Sequence, residues 1–463
     1  MQKFAPKIEE YVKKRQYAKE SYEIELYPKN GILSLKKDEL LAYSGNTGGS
    51  GGPHLHFEVR DAYSRPLNPM LFNVPIEDTL APTVTDIFVY HTINHQKFIT
   101  SHSLPTELTL IKIGKNTYEC PPIKANDGIG FGISSFDNQN GSSNQNGVYS
   151  YEVVVNGQII FQMNMDRFSF SETRFINQLV DYSYYKKNKQ RIAKLFKVKN
   201  NPLSIYDKVV DNGIVQIEEG MSYNVEIIIK DFQDNTTHIK IPVTFDSTST
   251  NLSDAKVEEG FRIDANDIFT IKKGIFDVFI PKNSLYEDAT IQVSDSGDTL
   301  FLHNDEIPLH KKIMITANIA NYKPADQKKL YFGEKNEKGK IYYSGTSRKG
   351  NRLSTQTRNF GTYGLYIDSI PPVVKPFNFS ENKWISFEKE LKVKIYDKET
   401  GIKSYRATIN GTFILMEYDY KTGMLVYQFS DGIIDTSQNN FELIVLDKVN
   451  NKTTLKTTFY RKP

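Results

Sequence analysis

Beyond Asn68-Pro69 the chain is a succession of short runs rich in Val, Ile, Thr, Tyr and Phe, each cut off by Asn, Asp, Gly or Pro. Runs at residues 85–90, 151–155, 224–230, 275–280, 391–396 and 441–446 repeat this form. Strand-like runs separated by turn chemistry predict β-sandwiches. The aromatic content agrees, because 28 Tyr and 28 Phe against one Trp suit half-buried strands better than helices. One helix is predicted, across residues 175–197. The expected fold class is all-β, and 463 residues leave room for about three domains.

An internal repeat sets the boundaries. Asp78-Thr79-Leu80-Ala81-Pro82 and Asp368-Ser369-Ile370-Pro371-Pro372 each place a proline four residues after an aspartate, where a strand series begins. Each series ends alike: a strand closes in Asp231 or Asp447, and Asn235 or Asn451 follows four residues later ahead of a Thr-rich strand. Asp and Asn suit tight turns because their short side chains bond nearby amides and tolerate left-handed backbone. The repeat predicts a β-sandwich over residues 78–246 and an immunoglobulin-like sandwich over 371–463. A third β module fills 254–370, and residues 1–77 stand apart. Asp231, Asp397 and Asp447, with Asn235, Gly401 and Asn451, could line calcium sites at sandwich ends, since hard cations collect oxygen ligands. No single segment supplies five or six oxygens, so turn capping is the favoured role.

Composition removes several classes of function. Lys plus Arg (58) nearly cancel Asp plus Glu (55), giving a net charge of +3. That balance offers no basic stripe for nucleic acid or an anionic membrane. The run Lys186-Lys187-Asn188-Lys189-Gln190-Arg191 reads as a solvated face. No apolar stretch approaches the roughly 18 residues needed to cross a bilayer. Cys120 is the single cysteine, which excludes an internal disulfide or a thiolate metal centre. Residues 2–7 hold no apolar core of a signal peptide.

The most informative stretch is residues 45–60. Short strands are expected at 22–27 and 39–44, then a glycine loop (Gly45, Gly48, Gly49, Gly51, Gly52), then alternation from His54 to Arg60. In a strand, alternate residues share a face. His54, His56 and Glu58 would project together while Leu55, Phe57 and Val59 pack the other way. Two imidazoles beside a loop that admits a substrate backbone suit a zinc centre with an adjacent proton shuttle. A bare His-x-His is more often a pair of surface histidines.

Gly52-Pro53-His54-Leu55-His56-Phe57-Glu58, with the glycines before it, resembles the C-terminal motif of lysostaphin/LytM-type zinc metallopeptidases. That family cleaves peptide bonds of bacterial peptidoglycan in a small antiparallel β fold. The resemblance implies that His56 is a zinc ligand and His54 the catalytic imidazole. Asn68-Pro69 resembles the pair that closes the domain. Asp38 stands where the family carries a turn glycine, a mild departure because Asp tolerates left-handed backbone.

The family also takes a His and an Asp from an upstream His-x-x-x-Asp motif, and no histidine lies between Met1 and Pro53. Residues 1–77 therefore match the C-terminal half of the peptidase domain. With two ligands missing, zinc binding is expected to be weak or absent and this chain inactive by itself. Residues 1–73 are expected to be the least protected part of the chain. His91 and His95 read as a loop pair, and His102, His238, His303 and His310 as solvent-facing or turn histidines. The expected function is that of a periplasmic or extracellular cell-wall metalloendopeptidase, here partial, with peptidoglycan or a cell-wall peptide as partner. Two alternatives stand beside it: a non-catalytic regulator of a cell-wall amidase, and a surface scaffold or adhesion protein.

Overall fold

In the hairpin Ser222–Lys230/Thr236–Phe245, Val225, Ile227 and Ile229 point inward and pair with Ile241, Ile239 and Thr237. The same alternation buries Leu391, Val393 and Ile395, and Phe441, Leu443 and Val445, near the C-terminus. Half-buried strands of this kind need a second sheet over their apolar face. The computed structural model describes residues 3–92, 98–99, 103–249 and 259–462, and in it that requirement is met three times. The fold is all-β.

The first sandwich packs a four-stranded sheet, in the order Ala193–Lys194, Ile129–Phe136, Thr83–His91 and Thr106–Leu108, against an eight-stranded sheet containing that hairpin. Its core extends from Val84 to Val243. The second has two five-stranded sheets and a core from Ile263 to Leu365. The third has a four-stranded and a five-stranded sheet and a core from Phe379 to Phe459. No helix among the described residues is long and apolar enough to cross a membrane.

Strand Thr83–His91 departs from simple alternation, because Ile87, Phe88, Val89 and Tyr90 are all buried in succession. The reason is a second layer. Ile192, Phe196 and Ile214 join Phe88, Tyr90 and Ile99 in a separate apolar cluster. The predicted helix over 175–197 is in fact two short ones, Ile176–Leu179 and Tyr182–Asn188, split where Val180 turns extended. Asp181 caps the second, accepting from the Tyr184 amide at 3.0 Å, and its other oxygen accepts from the buried Tyr90 hydroxyl at 2.8 Å. The basic run is not a purely solvated face. Lys186 pairs with Asp305, and Lys187 with Glu306 at 2.8 Å, in the second sandwich. Arg174 adds hydrogen bonds to the carbonyls of Leu309 and His310, each at 3.0 Å.

Residues 3–77 depart furthest from expectation. A helix, Pro6–Lys19, occupies sequence with no clear apolar period. The strand expected at 22–27 is absent, the one at 39–44 shrinks to Ala42–Tyr43, and the one at 54–60 to Val59–Arg60. Leu55 and Phe57 do not pack inward: they are 85% and 67% exposed. Pairing explains this. Val59–Arg60 pairs with Pro66–Leu67, and a lone bridge joins Gly45 to His54, so among the described residues no second sheet lies over the motif. Asp38 does adopt left-handed backbone, with φ 65°.

This segment is ordered by its neighbours. The Asn68 amide donates to the Asp166 carbonyl of the first sandwich at 2.7 Å, and Asn68 caps the turn Pro69–Phe72. Lys13 and Tyr17 both reach Asp431 of the third sandwich, at 2.6 and 2.7 Å.

The double-layered sheet yields a test. A Cβ at Gly132 would sit 2.6 Å from Ile192 and 2.7 Å from Tyr90, closer than packed atoms allow. Gly132→Ala is expected to destabilise the first sandwich by about 1–3 kcal/mol, read from the denaturant midpoint at unchanged slope. Gly147→Ala, with open space around its Cβ position, is the control and should change little.

Candidate functional site

The sequence singled out His54 and His56, and the structure leaves both on the surface. His54 Nδ1 lies 2.9 Å from the Gly52 carbonyl and 3.0 Å from the Ser50 hydroxyl. His56 Nε2 lies 3.4 Å from a Glu58 oxygen. Glu58 is also bonded to Arg60, and this bond holds its carboxyl below the ordinary range. A catalytic zinc centre needs three protein ligands and one open position. Among the described residues neither histidine belongs to a group of three close ligand atoms. The residues present do not fit such a centre.

The glycine loop before His54 is held from the far end of the chain. Lys421 Nζ donates to the carbonyls of Asn46 at 2.8 Å and Ser50 at 2.6 Å, and the Tyr420 hydroxyl donates to the Gly48 carbonyl at 2.7 Å. Both side chains come from the turn between the third-sandwich strands Glu417–Asp419 and Met424–Gln428.

The other described histidines lie away from the motif. His238 pairs with Glu226 at 2.9 Å on the strand surface. His303 is buried, not solvent-facing, in left-handed backbone and edge-on to Phe360. His310 sits between Phe175 and Tyr286, where the first and second sandwiches meet. Burial lowers the pKa of both His91 and His310. His95 and His102 lie outside the described residues.

The repeated Asp and Asn residues prove to be one device used twice. In the third sandwich the Asn451 carboxamide donates to an Asp447 oxygen at 2.6 Å and to the Asp368 carbonyl at 2.8 Å. In the first, Asn235 donates to Asp231 at 2.7 Å and to the Asp78 carbonyl at 3.1 Å. Thr453 and Thr237 then bond the carbonyls of Pro372 and Pro82, at 2.5 and 2.7 Å. Each clasp ties the start of a sandwich to its last hairpin.

A third acid completes each cluster, Asp137 beside Asp78 and Asp231, and Asp397 beside Asp368 and Asp447, with ligand atoms within 4.8 Å of one another. Sequence reasoning missed Asp137, which sits in a run of Asn and Gln resembling any polar turn. Its signal was positional: like Asp397, it directly follows the strand paired to the first strand of its sandwich. Burial, with the charges of Asp231 and Asp78, pushes its carboxyl up to about 6.

Residues 261–368, which correspond to the second sandwich, match the family model of the Zu5-like domain. No curated protein matches the chain. Among solved structures, the chain is similar to fibronectin(III)-like modules of Clostridium thermocellum CbhA, with 11% identity over 33% of this chain and 86% of that one, and a TM-score of 0.17. It is similar to protocadherin gammaB7 EC3-6, with 12% identity over 75% and 72% and a TM-score of 0.16. A third similarity is to SGBP-B of the Bacteroides ovatus mixed-linkage glucan utilization locus, with 10% identity over 72% and 63% and a TM-score of 0.14.

The clasp predicts its own cost. Asn451→Ala removes both bonds and leaves the buried Asp447 carboxylate short of a donor. It is expected to destabilise the third sandwich by about 1–3 kcal/mol, measured by chemical denaturation.

Proposed function

We propose that the chain is a cell-envelope scaffold or adhesion protein, periplasmic or extracellular, whose sandwiches present the binding surface. In this reading the LytM-like segment is a docking element and not a working peptidase. The observation that carries it is the glycine loop. The carbonyls of Asn46, Gly48 and Ser50, along which a substrate backbone would run, accept from Lys421 and Tyr420. His54 and His56 support the same reading, because their partners are Gly52, Ser50 and Glu58. The partner class that the motif suggests is peptidoglycan or a cell-wall peptide.

A second reading rests on a different observation. Tyr27, Leu55, Phe57 and Tyr63 are strongly exposed on a segment whose described residues include no core cluster. Apolar surface of this kind favours burial under another layer. A further β layer carrying the family's His-x-x-x-Asp would cover it, and the family's zinc-dependent peptidase activity would belong to that completed domain.

Incubation of the chain with purified peptidoglycan sacculi separates the readings. The expected result is co-sedimentation without release of soluble muropeptides, and substoichiometric zinc after dialysis against a mild chelator. Muropeptide release that His56→Ala abolishes, or one zinc per chain, would move the protein to the peptidase reading. Failure to co-sediment would rule out the cell wall as its partner.

A further inference from the structure

The two acid trios are built alike and finished differently. In the third sandwich the acids are closed by their own turns. Asp397 accepts from the amides of Thr400 and Gly401 at 2.9 and 2.7 Å, and Asp368 from the Ile370 amide and the Thr400 hydroxyl at 3.0 and 2.8 Å. Asp447 accepts from the amides of Val449 and Asn451 at 3.0 and 2.7 Å.

In the first sandwich, Asp231 and Asp78 cap turns in the same manner, through the amides of Gln233, Asn235 and Leu80. Asp137 does not. It is 7% exposed, and its Oδ1 is buried with no hydrogen-bond partner. A buried carboxylate oxygen without a donor is costly, and more so beside two further carboxylates. No ion pair among the described residues uses Asp78, Asp137 or Asp231. The charges that act on Asp137 are the other two acids.

We propose that Asp78, Asp137 and Asp231 form a calcium site at the start of the first sandwich. An all-carboxylate donor set selects a hard cation over zinc or copper. Oxygens held roughly 2.4 Å from one calcium lie at most about 4.8 Å apart, and the three carboxylates keep within 4.8 Å. The remaining calcium ligands have a route in. Asp137 lines a cleft of about 400 Å³, together with Asn68, Gln139, Asn146 and Tyr149, and Asp78 is half-buried. Of the three acids, the one with the unpartnered oxygen is the one that borders this cleft. Asp78 supplies one ligand and its carbonyl is already tied to Asn235. A bound ion would therefore add a second link between the start of the sandwich and its last hairpin.

Calcium titration of the full chain tests this by calorimetry, by tyrosine-sensitised terbium luminescence with Tyr149 and Tyr151 beside the cleft, and by melting in calcium against chelator. Expected are a saturable calcium site, displacement of terbium by calcium, and a higher melting temperature in calcium. Asp137→Asn is expected to weaken calcium binding at least tenfold and to abolish the calcium-dependent rise in melting temperature. Asp78→Asn, at the more exposed position, repeats the measurement should Asp137→Asn fail to fold. Asp397→Asn in the other trio is expected to leave the site intact. No saturable calcium binding, or binding and melting rises unaltered in both Asp137→Asn and Asp78→Asn, would overturn the proposal.

Discussion

The Asn451 carboxamide bonds both the Asp447 carboxylate and the Asp368 carbonyl, and this fixes where the third sandwich begins relative to where it ends. Two sheets facing each other hold together through apolar burial, which is strong but non-directional. Register needs directional bonds. The clasp supplies them at one corner, and Thr453 continues the tie to the Pro372 carbonyl. Because Asp368 and Asp447 are fully buried, every donor around them has to be in place for the corner to be affordable. The first sandwich repeats the arrangement with Asn235, Asp231, Asp78 and Thr237. Both sandwiches thus inherit their boundaries from the same few polar side chains.

Those side chains were legible as spacing, because an aspartate four residues before a proline and an asparagine four residues after an aspartate are local patterns. The strands were legible too. Val225, Ile227 and Ile229 alternate in the sequence and face inward in the fold. What spacing could not show is which third acid arrives from elsewhere, since Asp137 joins Asp78 and Asp231 only through the sheet topology. Helix Pro6–Lys19 was hidden for a different reason. Its end signals were present, with Pro6 in the first turn and Lys19 in the last, but only Ile8 and Gln16 are buried. A helix held through Lys13 and Tyr17 at its polar surface needs no apolar stripe.

The motif at His54 shows the limit of alternation as a guide. Its pattern is that of a strand with one apolar face, and a strand persists only where a partner bonds its backbone and a layer covers its side chains. Val59 and Arg60 have a partner strand and are extended; Leu55 and Phe57 have no covering layer and stand in solvent. The chemistry attached to the pattern fails with it. His56 meets Glu58, and among the described residues no third ligand approaches.

The contacts at Lys421 and Tyr420 change what the glycine loop can be. Glycines leave a loop free to take many shapes, so its conformation in the folded chain is set by whatever grips its carbonyls. Here the grip comes from the third sandwich, hundreds of residues away in sequence. Helix Pro6–Lys19 reaches the same sandwich through Asp431, whose side chain is nearly inaccessible to solvent. The Tyr17 hydroxyl donates to it, and burial together with that bond raises the Tyr17 pKa well above the ordinary phenol range. The N-terminal segment thus borrows order from the third sandwich at two places, one along its helix and one along its loop. A ligand that bonded the Asn46, Gly48 or Ser50 carbonyls would have to compete with Lys421 and Tyr420. The last sandwich, which supplies Asp431 to the helix and Lys421 and Tyr420 to the loop, is therefore part of what shapes the motif.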